Sequence, residues 1–281
     1  MIIDFHTHIF PPAFKELLGK LSSDEPAFGS LYNSPKARLV DAEELIRSMD
    51  ENGVQRSVVF GFPWENAEQY ARHNDYIMES IFQYPDRLTG FCAFSPLSPG
   101  GVREAERCLA NGFSGVGELA VYGSGLTSEV VKALEDVMAL CSRTGVPFLL
   151  HTNEPVGHSY PGKTPNTLKE IYDFVRTYPS NRIVLAHWGG GLLFYGLMKK
   201  EVREALHNVW FDTAASPFLY ADDIYRIAGK IIGFEKILFG SDYPLIPPQR
   251  YFREMIAAGV SPEGMAQIKG LNAARLLGDT I

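Results

Sequence analysis

Residues 2–8 read Ile-Ile-Asp-Phe-His-Thr-His, an apolar segment that ends in two histidines. Its β-branched and aromatic residues predict a strand, and the near absence of polar alternation predicts burial on both faces. Seven further segments have the character of short buried strands. They are Ser57–Pro63, Leu88–Ser95, Gly115–Ala120, Pro147–Thr152, Ile183–Trp188, Val209–Thr213 and Ile237–Asp242. After the first interval, the strand starts recur about every 26–36 residues, which suits one βα unit each.

The segments between the strands have the spacing of amphipathic helices. Between strands five and six, the i, i+3, i+4, i+7 pattern is formed by Leu168, Ile171, Tyr172 and Val175. Thr164 as N-cap, followed by Pro165, predicts where that helix begins. His73 in an earlier helix and His207 at a helix end are expected to be solvated.

Eight strands with helical crossovers predict an α/β fold, a (β/α)8 barrel with an insertion after strand one. An open doubly wound sheet is the alternative. The 281 residues suit one barrel of about 250 residues, so we assign residues 1–281 to a single domain. The insertion spans residues 9–42 and is too long for a simple loop. Such a segment is able to cap the mouth of a barrel.

The composition of the chain indicates which binding partners and which cellular compartment to expect. A net charge of −7 argues against nucleic acid, because an acidic surface repels phosphate backbones. No apolar run is long enough for a bilayer and no signal peptide is visible, so we expect no membrane partner. Cys92, Cys108 and Cys141 show no CxxC pattern, which predicts free thiols and a cytoplasmic location. A small-molecule substrate is expected, and a homodimer is left open.

Six titratable side chains stand at or near the carboxyl ends of the predicted strands. They are His6, His8, Glu118, His151, His187 and Asp242. The active site of a barrel lies at this rim, so these groups should converge. Imidazoles and carboxylates are ligands for Zn²⁺ and similar ions. The pattern therefore predicts a divalent metal, with zinc as the expected ion.

The ordered set His-x-His, His, His, Asp at the ends of strands one, five, six and eight resembles the amidohydrolase superfamily. Within it, the chain is similar to the amidohydrolase-related branch that includes the aminocarboxymuconate-semialdehyde decarboxylase-like proteins. Besides residues 2–8, that similarity is carried by Gly240-Ser241-Asp242-Tyr243-Pro244 and Asn272-Ala273-Ala274-Arg275-Leu276-Leu277. The resemblance covers nearly the whole chain.

The resemblance implies roles for individual residues. His6, His8, His151 and Asp242 match the metal ligands of the superfamily. His187 matches a histidine that is catalytic in one-metal members and a ligand in two-metal members. Glu118 on strand four resembles the glutamate of TatD-type members, so we expect it to ligate or bridge. The alternative is that it holds a metal ligand in place or binds the substrate. One or two ions are expected.

The main functional prediction is a hydrolase in which a metal-activated water attacks an amide, ester or lactone of a small anionic substrate. In this hypothesis, Asp242 takes the proton of the water and His187 stabilises the developing oxyanion. The alternative is a non-oxidative decarboxylase that uses the same site. A non-catalytic metal-binding protein is a third hypothesis, which six candidate groups disfavour.

The loop after strand five, residues 152–163, is rich in polar groups. His158, Tyr160 and Lys163 are candidates to bind an anionic group of the substrate, and a solvated loop is the equal alternative. Gly189-Gly190-Gly191 follows strand six and offers backbone N–H groups to a carboxylate or phosphate. These glycines do not complete a GxGxxG fingerprint, which disfavours a nucleotide cofactor.

Overall fold

The structure is a computed structural model that describes residues 1–279. Eight parallel strands pair in sequence order from β1 to β8. They are β1 (Ile3–His8), β2 (Arg56–Phe60), β3 (Leu88–Cys92), β4 (Gly115–Leu119), β5 (Phe148–Leu150), β6 (Ile183–Leu185), β7 (Val209–Asp212) and β8 (Ile237–Leu238). Hydrogen bonds from Phe5 N to Phe239 O and from His8 N to Tyr243 O join the last strand to the first. The predicted (β/α)8 barrel is confirmed.

Helices follow the strands and surround the sheet. They are α1 (Ala13–Glu16), α2 (Leu18–Asp24), α3 (Pro26–Tyr32), α4 (Ala42–Asn52), α5 (Ala67–Gln83), α6 (Gly101–Ala110), α7 (Ser128–Ala133), α8 (Glu135–Thr144), α9 (Leu168–Thr177), α10 (Lys200–Ala205), α11 (Ser216–Leu219), α12 (Ile224–Ile232), α13 (Pro248–Ala257), α14 (Pro262–Ala266) and α15 (Asn272–Leu277). Short 3₁₀ or π turns cover Phe234–Lys236 and Gln267–Leu271. The segment His187–Leu197 has 3₁₀ turns interrupted at residues 188–191, where φ is positive. Within residues 1–279, no helix combines the length and the apolar character that a membrane span needs.

The hydrophobic core has two parts. One fills the barrel interior, where Phe5, Phe91 and Leu149 are fully buried. At the N-terminal end of the strands, α15 closes this interior with Ala273 and Ala274. The other part lies between the sheet and the surrounding helices. It contains the three cysteines, which are free, as predicted, and buried.

The insertion after β1 forms the three short helices α1, α2 and α3. Phe14 and Phe28 from these helices pack against the ring of Trp64, which follows β2. The insertion thus has its own aromatic core on the side of the barrel where the strands end. This position matches the expected cap over the mouth.

Two local predictions are wrong. The helix after β5 begins at Leu168, because Thr167 rather than Thr164 caps it and forms a capping box with Glu170. His73 is buried rather than solvated. Its Nδ1 accepts a hydrogen bond from Trp64 Nε1 at 3.0 Å, and its Nε2 bonds the carbonyl of Ile9 at 2.7 Å.

Candidate active site

Four donor atoms converge at the carboxyl ends of β1, β4 and β8. His6 Nε2 lies 3.6 Å from both Glu118 Oε2 and Asp242 Oδ1. His8 Nε2 lies 3.7 Å from the same Glu118 oxygen and 3.5 Å from Asp242 Oδ1. Ligands about 2.1 Å from a tetrahedral ion are about 3.4 Å apart, so this spacing is close to that of a coordination shell.

Glu118 also faces a second group of donors through its other oxygen. His151 Nδ1 lies 2.8 Å from Glu118 Oε1, and His187 Nε2 lies 3.6 Å from it. Glu118, His151 and His187 therefore form a second cluster with donor atoms close enough to share an ion. His187 belongs to both sides, because it also lies close to His6 and Asp242. All six groups selected from the sequence therefore meet in one continuous cluster.

Asp212 at the end of β7 orients the site, although the sequence analysis did not select it. Its Oδ2 accepts a hydrogen bond from His6 Nδ1 at 2.8 Å. Its Oδ1 accepts from the backbone N–H groups of His187 at 2.8 Å and Ala214 at 3.0 Å. With the proton on Nδ1, the lone pair of His6 Nε2 faces the donor cluster. Asp212 could have been found from the sequence, because it is a carboxylate at the end of the apolar strand Val209–Asp212.

Asp4 was also missed, and it is buried beside the histidine pair. Its Oδ1 accepts hydrogen bonds from the backbone N–H groups of Ser241 at 2.9 Å and His6 at 3.2 Å. Burial raises the pKa of Asp4 to about 7, against the hydrogen bonds from Ser241 that lower it. The carboxyl group thus joins the backbones of β1 and the segment after β8 below the donor cluster.

The backbone at the site adopts conformations that side chains rarely take. Within residues 1–279, the non-glycine residues with positive φ are His187, Trp188, Ala215 and Asp242. All four follow the ends of β6, β7 or β8. Such strain is concentrated at functional sites, where the surrounding structure holds it in place.

The charges of the site are strongly coupled. Burial alone would raise the pKa of Glu118, but the imidazoles of His6 and His151 lower it well below its ordinary value. Burial lowers the pKa of His6, yet the carboxylates of Glu118 and Asp212 outweigh this and raise it well above its usual range. For His187, burial lowers the pKa while Glu118 and Asp242 raise it to about 9. The carboxylates therefore draw positive charge into this end of the barrel.

The residues present fit a divalent cation. His6 Nε2 is buried and has no hydrogen-bond partner, although two carboxylate oxygens lie near it. A cation between these atoms would use that lone pair and offset the cost of burying two carboxylates. The donor set of imidazoles and carboxylates is one that Zn²⁺ or Mn²⁺ accepts.

Aromatic side chains that the sequence analysis did not select stand at the mouth. The rings of Phe62 and Tyr122 stack with centroids 5.8 Å apart and planes 5° from parallel. The Tyr122 ring is also 5.8 Å from that of His151. Burial, with the charges of Asp242 and Glu118, raises the pKa of Tyr32 on α3, so its hydroxyl stays neutral.

The loop after β5 satisfies its own charges. Lys163 Nζ forms an ion pair with Glu154 at 2.9 Å, and the Tyr160 hydroxyl donates to the same carboxylate at 2.8 Å. His158 is exposed. The loop reaches the donor cluster through its backbone, where the carbonyl of Gly162 lies 3.0 Å from His151 Nε2.

The glycines after β6 have a packing role. Gly190 has φ +62°, and a Cβ on it would lie 2.2 Å from the carbonyl oxygen of Asn153. Asn153 in turn accepts hydrogen bonds from the backbone and hydroxyl of Thr164. The absence of a side chain at Gly190 therefore lets the loops after β5 and β6 touch.

Comparison with known proteins identifies the class. The amidohydrolase family model matches residues 3–278, so the chain belongs to this family. The resemblance inferred from the strand-end motifs is confirmed.

The individual proteins that this chain resembles are decarboxylases. The chain is 24% identical to 6-methylsalicylic acid decarboxylase of Penicillium expansum, over 89% of this chain and 87% of that protein. It is 26% identical to gamma-resorcylate decarboxylase of Rhodococcus jostii, over 88% of this chain and 91% of that protein. A dihydroxybenzoic acid decarboxylase from Polaromonas, solved with manganese and the inhibitor 2-nitroresorcinol, superposes with a TM-score of 0.70 at 21% identity, over 98% of this chain and 96% of that chain. The main prediction of a hydrolase is wrong in the light of these relatives, which favour the alternative.

Proposed function

We propose that the protein is a metal-dependent, non-oxidative decarboxylase of small hydroxylated aromatic carboxylic acids. The observation that carries this proposal is that the two relatives identified by sequence, each matched over most of the chain, are decarboxylases of such acids. The donor cluster, with His187 beside it and aromatic rings at its mouth, suits this chemistry.

His6, His8, Asp242 and Glu118 would hold the ion, with His151 hydrogen-bonded to Glu118. When bound, the ion supplies positive charge that attracts the carboxylate and hydroxyl oxygens of the acid. Zinc stays the prediction from the sequence. Manganese is the second candidate, because the similarly folded Polaromonas enzyme contains it. Metal analysis of the purified protein distinguishes the two.

His187 is the proposed proton donor. Its Nδ1 lies 3.0 Å from the carbonyl of Ala214, which fixes that nitrogen as the N–H. Nε2 therefore faces the site and can carry a second proton. His187 would deliver this proton to the ring carbon that bears the carboxylate. The bond from that carbon to the carboxylate then breaks, its electron pair restores the aromatic ring, and CO₂ leaves. Asp242 is assigned to the ion, with proton transfer as its alternative role.

The aromatic mouth would position the substrate ring. The stacked pair of Phe62 and Tyr122 gives a flat apolar surface beside His151. Burial raises the pKa of the Tyr122 hydroxyl well above its ordinary value, with Glu118 adding to the effect, so it remains a hydrogen-bond donor. It can donate to a hydroxyl or carboxylate oxygen of the acid without adding negative charge.

Product analysis tests the proposal. Metal-loaded protein is incubated with 2-hydroxybenzoate, 6-methylsalicylate and 2,6-dihydroxybenzoate in D₂O. We expect equimolar CO₂, one deuterium at the vacated ring position, and net uptake of one proton per turnover. Ester or lactone hydrolysis instead releases acid. Absence of CO₂ from every acid with a fully metal-loaded protein contradicts the proposal.

A pair of histidine variants assigns the proton donor. His187→Gln should lower kcat by about 10²–10⁴, because general acid catalysis contributes that much. His207→Gln is the matched control, since His207 is exposed at the end of α10. Bound metal is measured in both variants, so that loss of metal is not mistaken for loss of the proton donor.

A further inference from the structure

A cavity lies at the end of the barrel opposite the donor cluster, where β6, β7 and β8 begin. Its volume is about 410 Å³, and it opens between these strand starts and α15. Its lining includes Arg182, Trp210, Glu235, Lys236, Asn272 and Arg275. A small ligand fits a space of this size.

The side chains that line the cavity carry a net positive charge. Arg182, Lys236 and Arg275 all line it, and the one carboxylate beside them is Glu235. Across residues 1–279, none of these three cations has a carboxylate oxygen within 4.0 Å. Arg182 donates to the carbonyl of Leu276 at 3.4 Å, and Lys236 donates to the carbonyl of His207. Most of their donor capacity is therefore open to a ligand.

Packing holds part of this charge in place. The Lys236 ammonium lies 4.1 Å from the centroid of the Trp210 ring. Burial lowers the pKa of Lys236, against the charge of Glu235, which means that its charge is partly desolvated. A bound anion would offset that cost.

Asn272 shapes the wall of the cavity. Its Nδ2 donates to the carbonyls of Phe234 and Ile237 at 2.8 Å each. These bonds fix the amide and hold α15 against the segment before β8.

We propose that this cavity binds the phosphate group of a small phosphorylated metabolite. Two guanidinium groups and one ammonium group match a phosphate dianion, for which the arginine fork gives bidentate hydrogen bonds. The site is separate from the donor cluster, because it lies at the starts of strands whose other ends carry that cluster.

Calorimetric titration of the full-length, metal-loaded protein with inorganic phosphate, and then with glycerol phosphate, tests the proposal at constant ionic strength. We expect saturable binding with Kd below ~1 mM. Arg275→Gln and Arg182→Gln should each weaken it by about tenfold, since each removes a charge-assisted contact. Arg143→Gln, an exposed arginine on α8, is the control and should bind like the unmodified chain.

Three outcomes overturn the proposal. One is the absence of saturable binding up to about 10 mM phosphate. Another is unchanged affinity in Arg275→Gln, which would place the anion at the donor cluster instead. The third is a chain ending at Asp279 that binds phosphate far more tightly than the full chain, which would make the carboxyl terminus the natural occupant. Circular dichroism spectra of the variants establish that they are folded.

Discussion

At the scale of single residues, the site depends on side chains that hold other side chains. Asp212 accepts from the His6 ring and from the backbone of His187. It thereby fixes both a candidate ligand and the candidate proton donor. Such outer contacts tune a metal site almost as strongly as the ligands do.

Asp212→Asn tests this role. Asparagine can keep the bonds from the backbone N–H groups, but its amide would face His6 Nδ1 with a donor. His6 would then carry its proton on Nε2 and lose the lone pair that faces the cluster. We expect metal affinity to fall by about 10–100-fold, measured by competition with a chelating dye. Asp223→Asn, at an exposed ion pair with Arg226, is the control. Equal metal affinity in the Asp212 and Asp223 variants would show that Asp212 does not support metal binding.

The burial of His73 predicts how the free energy of unfolding depends on pH. Burial lowers its pKa to about 3, against an unfolded value near 6.5. Between these values the unfolded chain binds a proton that the folded chain does not. The free energy of unfolding should therefore fall as pH falls through this window, by up to about 1.4 kcal/mol per pH unit. In His73→Gln this contribution should vanish, as measured by urea unfolding between pH 4 and pH 7.

His207→Gln is the control for this experiment, because His207 is exposed. Its unfolding free energy should keep the pH dependence of the unmodified chain. Parallel curves for the His73 variant and the unmodified chain would show that His73 binds its proton equally in the folded and unfolded states.

At the scale of elements, the apolar strands are followed by polar residues, and the loops that contain them pack against one another. The loop after β5 packs on the loop after β6 at Gly190 and is pinned by Asn153 and Thr164. Thr164 therefore serves the loop, while Thr167 begins α9. Two threonines three residues apart have different structural roles.

Thr167→Ala should destabilise the protein by about 1 kcal/mol, because it removes an N-cap that bonds the backbone N–H of Glu170. Thr177→Ala on the same helix is the control. Its hydroxyl donates to a carbonyl of the last turn and is exposed, so the cost should be smaller. Chemical unfolding of the two variants measures the difference. A Thr167→Ala cost no larger than that of Thr177→Ala would contradict the assigned cap.

At the scale of the whole molecule, the closed barrel brings charged groups from distant parts of the chain into one buried cluster. Asp242 and His6 are far apart in sequence, yet their donor atoms lie 3.6 Å apart. The two carboxylates of the cluster and their imidazole partners are costly to desolvate without a cation. Metal binding should therefore be linked to global stability.

Removal of metal should lower the free energy of unfolding. For an ion at 100 times its Kd, the expected loss is about 2.7 kcal/mol. Chemical unfolding with and without a chelator measures it, and added metal should restore the stability. The double variant His6→Ala, His8→Ala should show no response to metal. A metal-induced stabilisation of equal size in this variant would place the stabilising ion elsewhere.

The sequence by itself determined the barrel and most of the convergent groups. Each strand is a local apolar segment, and parallel strands in a barrel must end at the same rim. The six groups that could be placed together in this way are His6, His8, Glu118, His151, His187 and Asp242. Their chemistry indicated a cation without knowledge of any distance. The choice between hydrolysis and decarboxylation could not be made this way, because both reactions use the same residue types.

Only the tertiary structure decided which atoms face each other. It placed His6 and His8 near one oxygen of Glu118, and His151 and His187 near the other. It also revealed Asp212 as the residue that orients His6, and His73 as a buried contact rather than a solvated one. Ring orientation, tautomer and burial depend on neighbours that are remote in sequence, and no local pattern of residues encodes them.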